Sequence, residues 1–162
     1  MADAPELIGK PTPPQAVVIE RGPVSYFAKA VTDNSPIHQH PDAAAEAGFD
    51  AIPAPPTYAF AFQHMGAYPE IQPEGSSDVN PVMHAIGALM KEGGLVLHGE
   101  QEFVYHRPVL VGDKLTSQGT IKDIYSKEGS SGTMTFVVTE TDWLDESGEK
   151  VVTDIMTLIH RA

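Results

Sequence analysis

An α+β domain is predicted, with one apolar helix lying across an antiparallel meander. Three observations predict it. From Leu95 onward the hydrophobic period becomes two, with β-branched and aromatic residues enriched. The strand-like runs there are joined by short turn sequences, which is how antiparallel neighbours connect. Upstream, Tyr58 to about Tyr68 carries Tyr58, Ala59, Phe60, Ala61, Phe62 and Met65, apolar almost all round, as a buried helix is.

Taken in order, residues 1–14 are rich in Pro and polar side chains and read as a surface lead-in to a single domain spanning 1–162. A short strand follows at Ala16 to Glu20. Gly22-Pro23 punctuates, and Val24 to Val31 has the i, i+1, i+4 apolar spacing of a short helix. Thr32-Asp33-Asn34-Ser35-Pro36 is turn chemistry, because Asp, Asn and Ser bond their own backbone and Pro fixes φ. Asp42 to Ala47 reads as a helical turn or two closed by Gly48. Pro53, Pro55 and Pro56 prevent regular structure up to Thr57, which is placed to cap the long helix. Pro69 to Pro81 is a loop and Val82 to Met90 a second short helix, ended by Gly93-Gly94. The strands are expected near Leu95 to Tyr105, Lys114 to Tyr125, Thr133 to Leu144 and Lys150 to His160.

Composition narrows the chemistry. At 162 residues, folding can bury ~70% of the unfolded surface, enough for a real core. Hydrophobic residues are 41% and charged residues 20%, ordinary globular usage. The net charge of −12 is spread along the chain and disfavours nucleic acid as a partner. No cysteine is present, which removes disulfides, thiolate metal sites and cysteine nucleophiles together. The first fifteen residues lack the apolar core of a secretion signal, and no run approaches the ~20 apolar residues of a membrane span, so a cytoplasmic location without membrane contact is expected.

The informative stretch is Thr32 to His40, TDNSPIHQH. Asp33 and His38 stand five apart across a rigid turn, where both can point at one water. Such a pair moves protons at neutral pH, because carboxylate and imidazolium stabilise each other. Read by itself, the segment fits an Asx turn followed by a solvated histidine equally well. His84, His98 and His106 have spacings of 14 and 8, outside compact metal-ligand motifs, and read as structural; no metal or cofactor is called for. His38 and His40 share one side without announced partners for a metal. Tyr125, Phe136 and Trp143 alternate with polar neighbours and read as packing residues. Gly112-Asp113 is a turn, and Gly129 and Gly132 lack the G-K-[ST] ending of a phosphate loop.

Asp33, Pro36 and His38 reproduce the D-x-x-P-x-H core of the signature of the MaoC-like (R)-specific enoyl-CoA hydratases and 3-hydroxyacyl dehydratases, which this chain resembles. The resemblance continues through Pro41-Asp42, Gly48-Phe49, the proline-rich approach to a buried helix, Leu97 to Pro108 and Gly112-Asp113, nearly the whole chain. It departs at Thr32, where relatives usually have Gly, at Ser35, where they have Asn, and near Thr57, where many have His-Gly. The resemblance implies a hotdog fold, a long central helix wrapped by an antiparallel sheet, in a homodimer or heterodimer with a continuous sheet. It also implies reversible hydration of a trans-2-enoyl thioester to a (R)-3-hydroxyacyl thioester, with Asp33 and His38 as the catalytic residues. Substrate binding falls to Ser35, Thr57 and Tyr58. Because Pro55 and Pro56 have lost their N–H groups, the donor to the thioester oxygen must be Thr57, Tyr58 or a neighbour.

The implied substrate is an acyl-CoA. An acyl carrier protein fits less well at a net charge of −12, although Lys91, Arg107 and Arg161 offer local positive charge. Two alternatives stand beside the hydratase: a non-catalytic acyl-binding subunit of a heteromeric dehydratase, and a hotdog thioesterase.

Overall fold

The strict alternation after Leu95 produces strands that match the expected ranges at their starts within a residue. The computed structural model describes residues 5–91, 93–129 and 132–161. The strands are β1 (Ala16–Val18), β2 (Leu95–Tyr105), β3 (Lys114–Gly129), β4 (Gly132–Leu144) and β5 (Lys150–Arg161). They form one antiparallel sheet in the order β1-β3-β4-β5-β2. Three α-helices are present among the described residues, α1 (Arg21–Ala30), α2 (Pro41–Glu46) and α3 (Pro81–Met90). None is long and apolar enough to cross a membrane.

The meander holds only for β3, β4 and β5. Strand β2 pairs with β5, from Leu95 opposite Arg161 to Tyr105 opposite Val152, and does not neighbour β3. The reason lies in the connection after β2, which is not a hairpin. Its backbone bonds go elsewhere: Val109 accepts from Ala54 N at 2.8 Å, Val111 N donates to Ile52 O at 2.9 Å, and Gly112 N donates to Ile19 O at 2.8 Å. Those bonds carry the chain across the end of the sheet to its far side, where β3 begins beside β1.

The single helix expected from Tyr58 to Tyr68 is replaced by two 3₁₀ turns, Pro56–Phe60 and Phe62–His64. Pro55 and Pro56 remove two N–H donors at its start, and the bonds that follow span three residues, Tyr58 N to Pro55 O at 2.9 Å and Ala61 N to Tyr58 O at 2.9 Å. At the other end the buried Glu20 carboxylate accepts from the N–H groups of Ala67 and Tyr68, at 2.8 and 3.2 Å, which a continuing helix would have used internally. The apolar payload is still buried. Tyr58 packs edge-on against Phe27 and Phe62 against Trp143, with ring centroids 5.2 and 4.6 Å apart.

Two core clusters result. One joins these 3₁₀ turns to α1, β1 and β5 through Val17, Val24, Tyr58, Phe62 and Val152. The other packs α3, through Val82, Ile86 and Leu89, on Ile121, Ile124 and Val137 of β3 and β4. Leu7, inside the expected surface lead-in, belongs to this second cluster and is buried. Gly9 N and Thr12 N donate to Ile121 O and Gly119 O of β3, so the segment 9–12 runs along the sheet.

Candidate active site

Helix α1 ends in a way that fixes Asp33. Thr32 adopts φ +60°, Thr32 N donates to Lys29 O at 3.1 Å, and Asp33 N donates to Ala28 O at 2.8 Å, the paired bonds of a Schellman motif. A glycine normally holds this left-handed position; here a β-branched threonine does, at some conformational cost. The carboxylate then folds back on its own turn, with Oδ1 accepting from Ser35 N at 2.9 Å. This Asx turn leaves Oδ2 for a longer reach.

Oδ2 lies 3.2 Å from Nε2 of His38. His38 ends the 3₁₀ turn Pro36–His38, and its side chain is buried except for 7%, against 33% for Asp33. Its other nitrogen, Nδ1, sits 2.7 Å from the carbonyl oxygen of Pro53. A carbonyl only accepts, so Nδ1 carries hydrogen and the ring is held with Nε2 toward the carboxylate. When the ring is charged, Nε2–H donates to Asp33; when it is neutral, Nε2 and the carboxylate are two acceptors that together call for a donor between them. A water molecule is such a donor.

The pair stands between two concavities. On the His38 side lies a cleft of about 520 Å³ walled by Ile37, Phe49, Ala54, Tyr105 and Val109, with the Pro53 carbonyl segment at its back. On the Asp33 side lies a polar hollow of about 450 Å³ bordered by Arg21, Ser25, Lys29, Gln39 and His40. Arg21, Ser25 and Lys29 recur every fourth residue on one face of α1. The site thus offers an apolar bed, a paired acid and base, and a cationic rim.

The other residues singled out from sequence fall as follows. Ser35 contributes its backbone N–H to Asp33, and its hydroxyl makes no helix-cap bond. Thr57 is exposed in the first turn after Pro56, where a helical N–H has no partner within its own turn. Tyr58 is different: its N–H is given to Pro55 O and its ring is 2% exposed in the core, where burial and the Glu20 charge push its hydroxyl up to about 12. Arg107 is engaged by Asp113 at 2.8 Å and Asp145 at 3.3 Å rather than free for a partner. His106 meets Thr153 Oγ1 at 3.0 Å and His160 meets Gly93 O at 2.7 Å, structural uses of imidazole. The Pro53 carbonyl, Tyr105 and the α1 cations were not legible as site components. Tyr105 is tied there by its hydroxyl, which donates to Pro56 O.

The chain is similar to known proteins in family, in sequence and in fold. The family model described as "FAS1-like, dehydratase domain region" matches residues 6–154. A UPF0336 protein of Streptomyces avermitilis is 34% identical over 164 residues, covering 100% of this chain and 97% of the relative. A UPF0336 protein of Mycobacterium leprae is 31% identical over 142 residues, covering 88% and 75%. Among solved structures, the ChsH1-ChsH2 complex from Mycobacterium tuberculosis contains a chain that superposes with a TM-score of 0.76 at 22% identity, over 92% of this chain and 83% of that one. The HadBC (3R-hydroxyacyl-ACP dehydratase) complex of the same organism gives 0.69 at 24%, covering 94% and 96%. The (R)-hydratase PhaJ1 from Pseudomonas aeruginosa gives 0.60 at 18%, covering 98% and 85%. The expected α+β hotdog architecture is therefore correct, with its central helix broken into 3₁₀ turns.

Proposed function

The chain belongs to the family of FAS1-like dehydratase domain regions, and on that premise we propose that it reversibly adds water across the C2–C3 double bond of a trans-2-enoyl thioester to give the (R)-3-hydroxyacyl thioester. The observation that carries this reading is the 3.2 Å approach of Asp33 Oδ2 to His38 Nε2 at the edge of an apolar cleft. A water held by both groups donates to one of them as its oxygen bonds to C3. The π electrons move toward C2 and the thioester oxygen, and the pair returns a proton to C2 on the same face. Water is consumed whole, so no redox partner or metal enters the balance.

The carbonyl oxygen gains charge in that step and needs a donor. Of the two residues expected there we favour Thr57, since the Tyr58 N–H is already given to Pro55. A coenzyme A handle suits Arg21 and Lys29 beside Asp33 in a chain of net charge −12. Strand β2 is last in the sheet order and exposes Leu95, Leu97 and Val104, which favours pairing of that edge with a second copy or a related chain.

Product analysis tests the reading. Purified chain incubated with crotonyl-CoA is expected to form (R)-3-hydroxybutyryl-CoA; formation of free coenzyme A and crotonate would instead assign a thioesterase.

A further inference from the structure

Away from Asp33 and His38, a further cleft of about 370 Å³ is lined by residues of β2, β3, β4 and β5 together with Phe60, His64 and the start of α3. Phe60, Val82, Met83, Trp143 and Leu158 supply apolar lining, beside polar side chains that include Asn80, Ser117 and Thr139. Its centre is polar. Gln101 and Asp154 both face it, with Gln101 Nε2 donating to Asp154 Oδ1, while the amide oxygen Gln101 Oε1 is buried with no hydrogen-bond partner among the described residues.

A β-bulge places that amide. Register in β2 shifts between His98 and Glu100, so His98 and Gln101, which strict alternation would set on opposite faces, both line the cleft. Gly99 allows it, because a methyl group there would come within 2.5 Å of Ile159 Cδ1 and 3.1 Å of Thr157 O. A buried acceptor without a donor costs free energy that a ligand can recover.

We propose that this cleft receives an aliphatic chain bearing a hydroxyl group, the hydroxyl donating to Gln101 Oε1 while the hydrocarbon lies between Trp143 and Met83. The apolar part of the lining suits hydrocarbon. A hydroxyl suits the centre because its proton meets the unpartnered acceptor Gln101 Oε1. That the chain is the acyl tail of a thioester rests on the function proposed above; the hydroxyl preference rests on the cleft.

Trp143 is the sole tryptophan and borders the cleft, so its fluorescence reports occupancy directly. Titrations compare saturated eight- to twelve-carbon acyl-CoA thioesters with their ω-hydroxy counterparts, beside crotonyl-CoA hydration in the same preparation. At least one hydroxylated chain is expected to bind about tenfold more tightly than its plain parent. The preference should vanish in Gln101→Met, or in Gln101→Leu if the first variant does not fold. Equal binding of plain and hydroxylated chains by the native protein, no binding of either, or an unchanged preference in the variants would overturn the proposal. Equal binding by the native protein with hydration intact condemns the cleft alone, whereas a native preference without hydration condemns the proposed reaction alone.

Discussion

The Nδ1 atom of His38 lies 2.7 Å from the carbonyl oxygen of Pro53, and this contact decides which nitrogen faces Asp33. Ring orientation in an acid–base pair is commonly set from behind in this way, by the bond the distal nitrogen makes. Nitrogen NMR of the neutral imidazole is expected to show hydrogen on Nδ1 and a bare Nε2. The opposite tautomer would mean that the Pro53 contact is not a hydrogen bond and that the pair is arranged differently.

Thr32 holds a left-handed conformation, φ +60°, at the C-terminus of α1. Replacing it by Gly relieves steric strain at a position that needs positive φ, although glycine also gains freedom in the unfolded chain. Thr32→Gly should raise stability by about 1 kcal/mol in urea unfolding, with the hydration rate unchanged. A destabilised variant would contradict the Schellman geometry that positions Asp33.

The strand ranges and the Asp33–His38 turn were legible because both are local. Alternation sets a strand whichever neighbour it pairs with, and Asp, Ser and Pro bond within their own turn. What escaped was set at long range. The pairing of β2 with β5 depends on backbone bonds from Val109 and Val111 to the segment near Ile52, which no pattern in residues 106–113 declares. The helix expected from Tyr58 fails because Glu20, some 47 residues earlier, captures its last N–H groups. The Pro53 carbonyl has no side-chain signature at all, and Leu7 sits alone in a stretch rich in Pro, so its partners on α3 give it its burial.

Glu20 offers a separate test. Its Oε1 accepts from Ala67 N, Tyr68 N and Gln72 Nε2, and Gln72 in turn bonds both ways with Val18 of β1. Glu20→Ala removes a charged acceptor shared by three donors and should cost about 2 kcal/mol, measured by urea unfolding. Limited proteolysis should open first within 66–72. Unchanged stability would show that water replaces the carboxylate without loss.

Asp154 gives a pH dependence with a defined sign. Burial raises its pKa from 3.8 to about 6, against the lowering influence of Gln101 and His98. The folded chain therefore binds this proton more tightly than the unfolded chain. Its contribution is most favourable below pH 3.8 and is lost as pH rises through about 6. Asp154→Asn lacks that dependence, so relative to the native protein its urea midpoint should improve between pH 4 and pH 7. A constant difference across that range would mean that Asp154 ionises as freely as in the unfolded chain.

The most direct measurement is loss of 2-enoyl absorbance when crotonyl-CoA and a medium-chain trans-2-enoyl-CoA are mixed with the purified chain, beside Asp33→Asn and His38→Ala. Turnover of at least one substrate is expected, reduced by about 10²-fold or more in each variant while the circular dichroism spectrum stays native. Turnover that survives either substitution in a folded protein would contradict the assignment of Asp33 and His38 as the catalytic pair.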